Sequence, residues 1–89
     1  MEGSRTNEAI TARFFEALEA LKVTGQMRGV GTFARRYGIN RRNLYTLRRR
    51  PSSGIFKACW LAYLVADWGV DARWLLTGDG GVFFSDSRL

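Results

Sequence analysis

With 89 residues, the chain holds one domain at most, and its core must be efficient because a short chain buries a modest share of its surface. It has no histidine and one cysteine, Cys59, which excludes histidine-dependent triads, thiolate metal clusters and any disulfide within the chain. The formal charge is +6 but unevenly spread: nine cations and no acid lie between Arg28 and Lys57, and the other five cations with all eight acids leave the rest of the chain at −3.

The first six residues read as a frayed tail. Thr6 or Asn7 then caps a helix beginning near Glu8, where an acid suits the positive helix end. Ile10, Phe14, Leu18 and Leu21 form its apolar stripe, and Gly25 ends it. Thr32 is read as the N-cap of a short helix from Phe33 to Tyr37, interrupted by Gly38. Asn40 caps the next helix by accepting from the backbone N–H near Asn43, and that helix runs to about Arg49. Pro51-Ser52-Ser53-Gly54 breaks it. Ile55 to Asp67 reads as a fourth helix, apolar nearly all round and therefore central and buried, with Cys59 an inert thiol inside it. Asp71 caps a short fifth helix closed by Gly78, and Val82-Phe83-Phe84 has β tendency before a loose end at 85–89. Asp67, Asp71 and Asp79 are read as capping and turn residues. The fold class is all-α: five helices in a single domain spanning 1–89, with a possible short C-terminal β-like arm.

The segment from Val30 to Arg49, VGTFARRYGINRRNLYTLRR, meets the requirements of a helix-turn-helix. Ala34 is small where two helices must approach closely. Gly38 tolerates positive φ in the turn, Ile39 plugs the corner, and Leu44 and Leu47 anchor the second helix. At about 100° per residue, these leucines leave Arg42, Tyr45, Thr46 and Arg49 on the opposite, exposed face. Arginine pairs bidentately with guanine, and threonine offers a hydroxyl and a methyl. Arg41 and Arg48 lie on a flank suited to phosphates.

This segment resembles the helix-turn-helix of the phage lambda repressor superfamily, which includes the Xre-like and Cro-like regulators. A second stretch, Trp68-Gly69-Val70-Asp71-Ala72-Arg73-Trp74-Leu75-Leu76-Thr77-Gly78-Asp79-Gly80, is similar to the segment that closes the DNA-binding domain in many phage-repressor-like proteins. The resemblance covers residues 8–84, with its specific motifs at 30–49 and 68–80. It implies a five-helix fold whose second motif helix, 40–49, enters the major groove. It carries base contacts over to Asn40, Arg41, Arg42, Tyr45, Thr46 and Arg49. Thr32, Arg36, Arg48 and Arg50 are the expected phosphate contacts. Where relatives open the first motif helix with a polar residue, often Gln, this chain has Gly31-Thr32. Longer relatives add a C-terminal peptidase-like dimerisation domain that is not expected here, nor is cleavage-dependent induction.

The reading is a sequence-specific double-stranded DNA-binding transcriptional regulator, a phage or prophage repressor or Cro-like protein, with no enzyme activity, no cofactor and no metal. One motif reads about four to six base pairs, seldom enough against a genome of competing sites, so a homodimer on a palindromic operator is expected. Trp74, Val82, Phe83 and Phe84 are its candidate interface; the alternative is that the apolar run folds back on its own core. No run reaches the ~18 apolar residues of a membrane span, and Met1 to Thr6 lacks the apolar stretch of a signal peptide. With its lone thiol, the chain is expected to be cytoplasmic, at the bacterial nucleoid or in a phage-infected host. An antitoxin or protein-interaction adaptor on the same fold is the alternative from another class. An RNA-binding protein ranks third, because the aromatic platforms of single-strand readers are not apparent.

Overall fold

The apolar stripe at 10–21 builds the first wall of the core. A computed structural model describes residues 2–83, and its first element is α1, Glu2–Val23. Phe14, Ala17, Leu18 and Leu21 are buried along it, and Ile10 is half-buried. The helix begins earlier than the expected cap at Thr6 or Asn7. No proline interrupts the segment, and the Asn7 carbonyl accepts from the Thr11 hydroxyl at 2.9 Å, as a residue inside a helix does. Residues 2–6 are thus helical and not a frayed tail. Gly25, at φ 80°, ends the helix by turning the chain so that the Gln26 N–H bonds back to the Leu21 carbonyl at 2.9 Å.

Helix α2, Val30–Tyr37, also starts earlier than expected: Gly29 is its N-cap, without a side-chain bond, and Thr32 lies in its first turn instead of capping it. Gly38 adopts φ 65°, and its N–H returns to the Ala34 carbonyl. Only three residues, 38–40, then separate α2 from α3, Arg41–Arg49. The Asn40 side chain accepts from the Asn43 N–H at 3.1 Å, the expected cap. Ala34, Leu44 and Leu47 are buried in one cluster where α2 packs on α3.

The connection after α3 departs most from expectation. Helix α4 is Cys59–Trp68, four residues shorter at its start than its hydropathy implies. The cause lies in α3. Asn43 donates from Nδ2 to the Ile55 carbonyl at 2.8 Å and accepts from the Ile55 N–H at 3.2 Å, so both backbone groups of Ile55 are engaged outside a helix. Gly54 sits so close to α3 that a Cβ there would come within 2.8 Å of Leu47 Cγ. Nor is α4 central. Only Trp60 and Leu64 are buried, whereas Cys59, Ala62, Val65 and Ala66 are exposed. Cys59 is therefore a surface thiol, contrary to its expected burial.

Helix α5, Ala72–Thr77, is capped as expected by Asp71, which accepts from the Trp74 N–H at 3.1 Å, and is closed by Gly78 at φ 86°. Its last carbonyls are covered by α1: the Arg13 guanidinium donates to Leu75 O at 2.8 Å and to Leu76 O at 3.0 Å, a cation at the negative helix end. Beyond it the chain turns back. The Asp71 N–H bonds to the Val82 carbonyl at 2.8 Å, and Val70 and Phe83 form an isolated antiparallel bridge.

Val82 and Phe83 therefore pack half-buried on the core of their own chain, and Trp74 is buried within it. Of the two readings of this apolar run, the chain takes the second: the bridge to Val70 folds it back on its own core. Phe84 lies outside the described residues. Phe14 is the hub of the core, with edge contacts to Phe33 at 5.4 Å and Phe56 at 5.3 Å between ring centroids. Removing such a ring costs about 3–5 kcal/mol. The result is a compact all-α unit with five helices and no sheet among the described residues.

Candidate nucleic-acid interface

The rotation of α3 about its axis is set by two fully buried side chains, Leu44 and Leu47, and its first turn by the Asn40 cap. The opposite face is therefore dictated. Asn40, Arg41, Arg42 and Arg49 are exposed, Tyr45 is 45% exposed and Thr46 is half-buried. These six side chains border a single open depression. No carboxylate lines it, and among the described residues Arg41, Arg42 and Arg49 form no ion pair. All six residues singled out for base contact are brought together here.

Arg41 lies against Gly31 at the start of α2. A Cβ on Gly31 would come within 3.3 Å of Arg41 Nη1, so the bare backbone of Gly31 leaves room for the guanidinium at the start of α2. This glycine stands where a larger polar side chain was looked for.

A second depression adjoins the first and shares Tyr45 with it. It lies between α1, the start of α2 and the flank of α3, and is lined by Lys22, Arg28, Thr32, Arg35 and Arg48 together with Glu19. Thr32 and Arg48, both expected at phosphates, are placed here. Lys22, Arg28 and Arg35 were not singled out, because three different elements carry them and no spacing in the chain relates them.

The two other expected phosphate contacts border neither depression. Arg50 is exposed at the end of α3, where its N–H bonds to the Thr46 carbonyl. Arg36 turns toward α4: its guanidinium lies 5.5 Å from the Tyr37 ring centroid, 5.2 Å from that of Trp68, and 4.0 Å from Asp67 Oδ2. It braces α2 against α4, away from the other expected phosphate contacts. Asp67 also accepts from the Tyr37 hydroxyl, and Trp68 Nε1 donates to that hydroxyl at 3.1 Å. Burial, and the Asp67 carboxylate that takes its hydrogen bond, hold the Tyr37 hydroxyl above its ordinary pKa. Asp67 is thus a partner for α2 and not the capping residue it was read as.

Among the described residues, no group of three or more carboxylate or thiol side chains is placed to hold a metal ion. No helix among them is long and apolar enough to cross a membrane. Comparison with protein-family models, with curated proteins and with solved structures finds no match to this chain.

Proposed function

We propose that this protein is a sequence-specific double-stranded DNA-binding regulator of transcription, of the phage lambda repressor-like type. In this reading α2, the turn at 38–40 and α3 form a helix-turn-helix, and α3 enters the major groove. The observation that carries it is the open, carboxylate-free depression bordered by Asn40, Arg41, Arg42, Tyr45, Thr46 and Arg49. A duplex needs such a surface: an accessible helix face, cations to meet phosphates, and forked or hydroxyl donors to meet base edges. Arg42 and Arg49, two turns apart on the outer face, are the principal base readers, and Tyr45 and Thr46 fill between them.

One such helix reads too few base pairs to find a site alone, so the protein acts as a homodimer, at least on DNA, on a palindromic operator. The surface available for pairing is the outer side of α4 and α5. There Ala58, Leu61, Ala62, Val65, Ala72 and Leu76 line a wholly apolar groove, with Leu76 49% and Val65 38% exposed. A second copy of this basic chain meets no like charge at that groove, whereas the α3 side would repel it.

The same groove is what favours the second reading, a protein-interaction module such as an antitoxin, whose partner would cover it. Selection of bound duplexes from a random pool separates the two. A palindromic consensus is expected for the regulator. Recovery of no consensus, with the purified chain remaining monomeric on DNA, would leave the interaction module in its place.

A further inference from the structure

We propose that Glu19 occupies, in the free protein, the place beside Arg48 that a phosphodiester of duplex DNA takes in the complex. The inference rests on the DNA-binding reading above and adds to it an internal competitor for the duplex backbone. Glu19 is the one carboxylate lining the cleft of Lys22, Arg28, Arg35 and Arg48. Its Oε1 stands 3.8 Å from Arg48 Nη2, with the two side chains 53% and 51% exposed. That separation is a charge contact and too long for a hydrogen bond. An ion pair so exposed to water is weak and exchanges partners readily. A phosphate on the same guanidinium makes two short, charge-assisted hydrogen bonds and displaces it.

The cleft is where a phosphate would arrive. It shares Tyr45 with the depression on α3, so a strand passing along the outer face of α3 comes next to the cleft, where the Thr32 hydroxyl and three further cations meet it. To take the phosphate Arg48 must first leave Glu19, whose carboxylate then stands beside the duplex backbone. Glu19 thereby lowers the affinity for duplex of any sequence, most at low salt, where its charge is least screened.

The test is a mutant cycle of wild type, Glu19→Gln, Arg48→Ala and the double variant. Each binds a fluorescent duplex of random sequence, followed by anisotropy between about 50 and about 200 mM salt. Glu19→Gln is expected to bind more tightly, with the larger gain at the low-salt end, where the lost carboxylate charge was least screened. Arg48→Ala should flatten the wild-type slope of log affinity against log salt by about 0.9, the loss of one phosphate contact, and abolish the gain when combined with Glu19→Gln. Wild-type affinity and slope in Glu19→Gln would overturn the role. So would a gain that survives in the double variant, since that is the effect of net charge alone. If wild type itself binds no duplex at either salt, the DNA reading falls and takes this role with it. Binding without coupling between the two positions removes Glu19's role and leaves the reading standing.

Discussion

Arg42 is the side chain on which the DNA reading can be tested most directly. It is exposed on the outer face of α3, has no ion-pair partner among the described residues, and follows directly on the Arg41 that opens the helix. If it pairs with a base, Arg42→Ala should cost about 1–3 kcal/mol on the preferred duplex and relax selectivity at one position. Competition assays with single-base variants of the selected site read this. An equal loss on every duplex would assign Arg42 to the backbone instead. Its outward direction was legible in the chain, because the two leucines at 44 and 47 leave a helix no other way to turn. The brace formed by Arg36 was not. A cation on a surface helix reads as solvated, and nothing near position 36 announces that Tyr37, Asp67 and Trp68 converge on it from α2 and α4. Because Tyr37 holds its proton more tightly in the folded state, the stability linked to that proton is present below the ordinary pKa of 10.0 and is lost as pH rises through the folded value.

Among the helices, those with a strong local signal lay where their caps and stops placed them. Asn40 and Asp71 accept from the backbone three residues on, and Gly38 and Gly78 take the left-handed conformation that ends a helix. Where the signal was weak, tertiary contacts set the boundary. The apolar run from Ile55 favours a helix throughout, yet Asn43 holds Ile55 by both its backbone groups and delays α4 to Cys59. This bridge ties α3 to the segment behind it and steadies the helix that carries the basic face. Asn43→Ala should therefore destabilise the fold by about 1–2 kcal/mol, two modest hydrogen bonds that leave backbone groups to water. In a domain of this size each kcal/mol lowers the melting temperature by about 4–8 °C. An unchanged melting temperature, with no faster amide exchange at Ile55, would show that the bridge contributes nothing.

The proposed dimer turns on which apolar surface the chain uses internally and which it leaves exposed. The run at 82–83 is used internally, against Val70, while Ala58 and, within α4, Ala62, Val65 and Ala66 face water. If two chains meet across α4 and α5, Val65→Glu should reduce the stoichiometry on a palindromic duplex from two chains to one, as read by sedimentation. It should leave the monomer's stability within about 0.5 kcal/mol, since the position is on the surface. Two chains still bound would place the interface elsewhere.

The all-α class, the caps at Asn40 and Asp71 and the outward face of α3 were all present in the order of the residues, because each depends on contacts within a few positions along the chain. Periodicity and capping are local, and a helix anchored by two leucines has one possible outer face. The late start of α4, the exposure of Cys59, the inward turn of the C-terminal run, the brace at Arg36 and the pairing of Glu19 with Arg48 all join residues distant in sequence. Such contacts exist only once the helices have packed. Hydropathy alone cannot say which of two apolar surfaces the core will take, since burial of either lowers the free energy, and the choice falls to shape.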